Sequence, residues 1–114
     1  MKKLRIKNFQ IHKDLTIEFD RITTIVGASD SGKSAILRAL RWVATNEPKG
    51  TGFIREGAKE ASVTLTLGGR EIQRQRSALN NSYGMDGVEF KAFGNDVPED
   101  IARVLNVSEI GRAS

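Results

Sequence analysis

Hydrophobic and polar positions alternate over residues 2–9, where Leu4 and Ile6 stand against Lys3, Arg5 and Lys7. A period of two with charged partners predicts a half-buried β-strand. Residues 14–19 repeat the pattern, with Leu15, Ile17 and Phe19 on one face. His12, Lys13 and Asp14, between the two runs, are expected to form the hairpin turn. Residues 22–26 are short and β-branched, as in a strand buried on both faces. At residue 33 the period changes. Ile36, Leu37, Ala39, Leu40, Val43 and Ala44 recur at helical spacing, and Arg38 and Arg41 lie elsewhere on the wheel. This predicts an amphipathic helix over 33–44, stopped in the stretch that holds Pro48 and Gly50.

Strand periodicity then returns. Val63, Leu65 and Leu67 alternate with Ser62, Thr64 and Thr66, and Gly68-Gly69 is a two-residue hairpin signal into a strand over 70–76. Arg70, Arg74 and Arg76 would share a face of that strand, either as the charge that keeps an edge soluble or as a contact to DNA or a partner. Residues 80–87 read as loop and 88–93 as a further strand. Asp96 and Glu99 are spaced like a capping box ahead of Ile101, Ala102, Val104 and Leu105, the apolar face of a short final helix. The class is α/β, a mostly antiparallel sheet around one strand–loop–helix unit. With 114 residues and no internal repeat, one domain is expected.

The loop of that unit carries the chemistry. Gly27-Ala28-Ser29-Asp30-Ser31-Gly32-Lys33-Ser34 satisfies the phosphate-loop (P-loop, or Walker A) pattern G-x-x-x-x-G-K-[ST]. Gly27 and Gly32 allow backbone conformations and close approaches that a Cβ would block. Successive N–H groups can then cradle phosphates at the positive end of the following helix. Lys33 supplies a point charge for the β- and γ-phosphates, and the Ser34 hydroxyl is placed to ligate Mg²⁺. At ordinary residue frequencies the pattern arises by chance in fewer than about 1% of chains of this length. The site is incomplete: no apolar strand after Ser34 ends in the carboxylate that would hold Mg²⁺, and no residue is identified to position water. Residues 46–49 are not a guanine clamp, and no catalytic residue is assigned.

Composition narrows the remaining readings. The absence of cysteine excludes a disulfide framework, a thiolate zinc site and a cysteine nucleophile. No apolar run is long enough to span a membrane, and the basic N-terminus is not followed by a signal-peptide core. With 28% charged residues the chain reads as soluble and cytoplasmic. The net charge of +4 is compatible with an anionic partner without requiring one. Lys2, Lys3, Arg5, Lys7 and Lys13 read first as a solvated strand face, with a DNA-backbone contact as the alternative. Trp42 reads as a core anchor, His12 as a solvated turn residue, and Arg55 as a local ion-pair partner of Glu56 or Glu60.

Lys7-Asn8-Phe9 on the first strand, Glu18-Phe19 ending the second, and Ile25-Val26-Gly27 running into Ser31-Gly32-Lys33-Ser34 resemble the N-terminus of SMC/RecF/RecN/SbcC-type ATPases. The likeness continues through Phe53-Ile54-Arg55-Glu56-Gly57, Glu71-Ile72-Gln73-Arg74 and Asn81-Ser82-Tyr83. It is nearest to phage recombination-nuclease ATPase subunits. The resemblance implies the P-loop NTPase fold of the first lobe of an ABC-type ATPase head over residues 1–110, with 111–114 a tail or linker. It implies ATP and Mg²⁺ as cofactors, held by Gly27, Ala28, Ser29, Asp30, Ser31, Gly32, Lys33, Ser34 and Ala35, with Ser34 on the metal. The implied partners are a C-terminal lobe bearing the signature motif, a second head, double-stranded DNA, and in some members a nuclease subunit. ATP-driven closure of two heads would be coupled to DNA binding or processing. Two departures stand out: Gln10 occupies a position often basic in the family, and Asp30 places a negative charge inside the loop. The rival readings are a self-sufficient P-loop enzyme such as a kinase, and a non-enzymatic DNA-binding module with a vestigial loop.

Overall fold

The computed structural model describes residues 2–10, 12–19, 33–47, 50–91 and 97–107. Within these residues the chain forms β1 (Lys2–Phe9), β2 (His12–Phe19), α1 (Lys33–Thr45), β3 (Glu60–Leu67), β4 (Arg70–Ser77), β5 (Asn81–Met85), β6 (Val88–Lys91) and α2 (Glu99–Val107). The six strands make one sheet in the order β2-β1-β3-β4-β5-β6. Every neighbouring pair is antiparallel. The expected strand over 22–26, the loop over 27–32 and the capping residue Asp96 lie outside the described residues.

Register converts alternation into two contrasting faces. One row across the sheet joins Ile17, Leu4, Leu65, Ile72, Met85 and Val88, and the next joins Leu15, Ile6, Val63, Arg74, Tyr83 and Phe90. This face holds the core: Leu4, Ile6, Val63, Leu65, Ile72 and Tyr83 are fully buried. The opposite face carries Lys3, Arg5 and Lys7 beside Glu18, Thr16 and Asp14, then Thr66, Thr64 and Ser62 of β3 and Glu71, Gln73 and Gln75 of β4. Arg5 forms an ion pair with Asp14 at 3.1 Å. Lys3, Arg5 and Lys7 are exposed on this face, which fits a solvated strand face.

Helix α1 packs on β1, β3 and β4. Of the expected stripe it buries Ala39, Leu40 and Val43 and half-buries Ile36, Leu37 and Ala44, while Ala35 and Trp42, outside that stripe, are buried as well. Trp42, Phe9 and Phe53 form an aromatic cluster with ring centroids 4.4–5.7 Å apart. Trp42 is therefore the expected core anchor. In α2, Ile101 and Leu105 join the core.

Three expectations need correction. His12, Lys13 and Asp14 belong to β2, and the turn falls earlier, since Phe9 already pairs with His12. Asn8 and Gln10 take left-handed φ values of 55° and 51°, and backbone bonds stabilise that turn. Gln10 N–H donates to Phe53 O at 2.7 Å and Arg55 N–H to Asn8 O at 2.8 Å. Residues 80–87 are mostly strand: β5 crosses 81–85 and turns at Asp86-Gly87, both with positive φ, the pattern a type I′ hairpin turn requires. Finally, β4 is interior, flanked by β3 and β5, so its arginines do not guard an edge.

Candidate nucleotide-binding site

Of the phosphate-loop residues, Lys33, Ser34 and Ala35 fall within the described residues and open α1; Gly27, Ala28, Ser29, Asp30, Ser31 and Gly32 do not. Ala35 is buried at 4% exposure, which seats the first turn on the core. Ser34 is exposed, leaving its hydroxyl open to a ligand. The first turn of α1 carries no acidic side chain, so nothing on it opposes an anion at the positive end of the helix dipole. These residues fit a magnesium polyphosphate: an accessible hydroxyl, a helix N-terminus without a carboxylate, and a small residue beneath.

The far end of α1 is held by a polar clamp. Asn46 follows the helix with φ 59°, the left-handed conformation common just past a helix C-terminus. Its N–H donates to Trp42 O at 2.9 Å. The Tyr83 hydroxyl on β5 reaches Val43 O at 2.9 Å and Trp42 O at 3.1 Å, serving carbonyls at the end of the helix. Arg74 on β4 completes the clamp. Its guanidinium donates to Asn46 Oδ1 at 2.7 Å, Gln75 O at 2.8 Å and Ser82 O at 3.0 Å. It lies 4.7 Å from the ring centroids of both Trp42 and Tyr83.

Arg74 is 2% exposed, which overturns both surface roles expected for it. Burial pulls its guanidinium below the ordinary arginine value, partly offset by Tyr83. The same burial pushes the Tyr83 hydroxyl up to about 12. Arg70 and Arg76 lie at the two ends of the same face, exposed and half-buried respectively; Arg70 pairs with Asp86 at 2.8 Å and Arg76 bonds the carbonyls of Ser77 and Asn80. The sequence held the signal for Arg74: Ile72 marks the core face of β4, and a residue two positions on must share it.

Near the N-terminal turn of α1, the exposed face continues from Ser34 to Arg38 and Arg41. Arg38 Nη1 donates to Gln10 Oε1 at 3.0 Å, joining the β1–β2 turn to the helix. Arg41 is paired with Glu47 at 3.1 Å. Among the described residues no group of His, Cys, Asp or Glu is arranged to hold a metal ion, and no helix is long and apolar enough to cross a membrane.

Comparison with known proteins agrees with this architecture. A family profile described as an AAA domain matches residues 3–103. The chain belongs to this AAA-domain family, as an N-terminal lobe of the SMC/Rad50 type. It is 30% identical over 112 residues to the DNA double-strand break repair Rad50 ATPase of Archaeoglobus fulgidus, covering 92% of this chain and 12% of that protein. It is 38% identical over 106 residues to the chromosome partition protein Smc of Halothermothrix orenii, covering 76% of this chain and 9% of that one. The Rad50 ATPase of Methanococcus maripaludis is 35% identical over 71 residues, 57% of this chain and 7% of that protein. The chain thus spans about a tenth of the length of these relatives. A solved structure of the recombination mediator protein RecF with ATP superposes with a TM-score of 0.64 at 17% identity, covering 79% of this chain and 27% of that one. That likeness supports the ABC-type fold of the lobe.

Proposed function

We propose that residues 27–35 hold MgATP as the nucleotide half-site of a DNA-repair ATPase head. In this reading residues 1–110 act as the first lobe of the head. The backbone N–H groups of Gly27, Ala28, Ser29, Asp30, Ser31 and Gly32 bind phosphate oxygens, Lys33 neutralises the β- and γ-phosphates, and Ser34 ligates Mg²⁺. Ala35 anchors the helix from below. Bound MgATP supplies the phosphoanhydride whose hydrolysis the family couples to work. A second lobe carrying the signature motif, and a second head, would close on the nucleotide and bring double-stranded DNA or a nuclease subunit under its control.

One observation carries this reading. A phosphate-loop sequence leads directly into a helix whose first turn exposes a hydroxyl, bears no carboxylate and is seated by a buried alanine. The metal role is tested by thermal unfolding of the 114-residue chain with ATP, in the presence of Mg²⁺ or of chelator. A ligand that binds only the folded state raises its melting temperature. MgATP should raise the wild-type value more than ATP in chelator does, and Ser34→Ala should remove that difference. A magnesium effect that survives in Ser34→Ala contradicts the assignment.

A further inference from the structure

We infer that Arg38 is a phosphate-contacting residue of the proposed nucleotide site, held in position by Gln10. This rests on the MgATP reading above and adds a residue outside the motif. Helical side chains tilt toward the N-terminus of their helix and cover the preceding turn. Arg38 lies four residues, about 6 Å, along α1 from Ser34 and on the same exposed face. Its guanidinium therefore leans toward the end of the helix where the phosphates would sit. The β1–β2 turn fixes it there through the 3.0 Å bond from Arg38 Nη1 to Gln10 Oε1. On the β1 side of that turn, Asn8 and Gln10 are left-handed and make two backbone bonds to residues 53 and 55.

The charge on Arg38 distinguishes it from its neighbours. Arg5, Arg41, Arg70 and Arg103 are each paired with a carboxylate. Arg41 stands next along the same helical face, and its charge is spent on Glu47. Arg38 is held by a neutral amide, which orients the guanidinium and leaves its full charge. A guanidinium has five N–H donors, and one is given to Gln10. Among the described residues no other acceptor takes a bond from it, which leaves donors to meet phosphate oxygens, for which the planar fork is suited. A cation whose only task was to anchor the turn would gain more from a carboxylate at position 10.

The test is MgATP titration of the full chain by calorimetry, alongside thermal stability without nucleotide. Arg38→Ala should weaken MgATP binding about tenfold with little change in melting temperature, and Arg38→Lys should recover part of the loss. Gln10→Glu is the diagnostic variant. It pairs Arg38 with a carboxylate, so it should keep or raise the melting temperature while weakening MgATP several-fold. If Lys33→Ala abolishes binding but Arg38→Ala and Gln10→Glu leave it unchanged, Arg38 is a surface tether and the inference fails. If Lys33→Ala leaves binding unchanged, the nucleotide reading itself fails.

Discussion

Replacing Arg74 with methionine tests whether a buried cation fixes α1 to the sheet. Methionine keeps an unbranched side chain and removes the charge and every donor. Asn46 Oδ1 and Ser82 O then lose the charged donors found at 2.7 and 3.0 Å, at roughly 1–3 kcal/mol for each buried bond removed. The stacking of the cation on Trp42 and Tyr83 adds about 0.5–2 kcal/mol. Relief of the desolvation cost of a buried charge acts in the opposite direction and offsets part of this. The net expectation is a loss of about 3 kcal/mol. With an m-value near ~1.5 kcal/mol per molar, the urea midpoint should fall by about 2 M. Arg76→Met, on an arginine that bonds the nearby Ser77 and Asn80 carbonyls, should cost less than ~0.5 kcal/mol. Asn46 has φ 59°, so Asn46→Gly keeps the backbone and removes the acceptor. A double-mutant cycle with Arg74→Met should give a coupling of about 1–2 kcal/mol. Equal, small losses for Arg74→Met and Arg76→Met, with no coupling to Asn46, would refute the clamp.

Two predictions concern pH. Tyr83 has a hydroxyl raised from 10.0 to about 12 by burial, so the stability it contributes is complete below pH 10 and is lost as pH rises through 12. The loss approaches roughly 3 kcal/mol for a rise of about two pH units. Tyr83→Phe should abolish this alkaline step in unfolding curves measured between pH 9 and pH 12, and a step of unchanged size would contradict it. Asp86 is held below its ordinary 3.8 first by the Glu71 N–H and then by Arg70. Its contribution is present above pH 4 and lost as pH falls through the depressed value, so Asp86→Asn should flatten the acid limb of the stability profile below pH 4. An acid limb identical to wild type would exclude that role.

The hydrophobic pattern carried most of the fold. β1, β3 and α1 were legible because alternation or helical spacing marks one buried face in each. β5 was hidden because Asn81, Ser82 and Gly84 have weak strand propensity; it is strand because both of its edges pair, with β4 and with β6. The Asp86-Gly87 turn was readable in principle, since that dipeptide is a strong hairpin signal. The β1–β2 turn was misplaced because tertiary contacts with residues 53–55 overrode local turn preference. The motif named the candidate site, but its support was invisible locally. Gln10, Asn46, Arg74 and Tyr83 come from four separate segments; packing brings Gln10 to Arg38 in the body of α1 and the other three to its C-terminal end.

In the proposed reading the N-terminus of α1 receives a nucleotide through the phosphate loop. Its most direct test is a titration of the isotope-labelled 114-residue chain with MgATP, following backbone amide resonances. Binding there should give saturable shifts concentrated on Ser34, Ala35 and the next turn of α1, lost in Lys33→Ala with the rest of the spectrum preserved. Shifts absent from wild type, or persisting unchanged in Lys33→Ala, would contradict it.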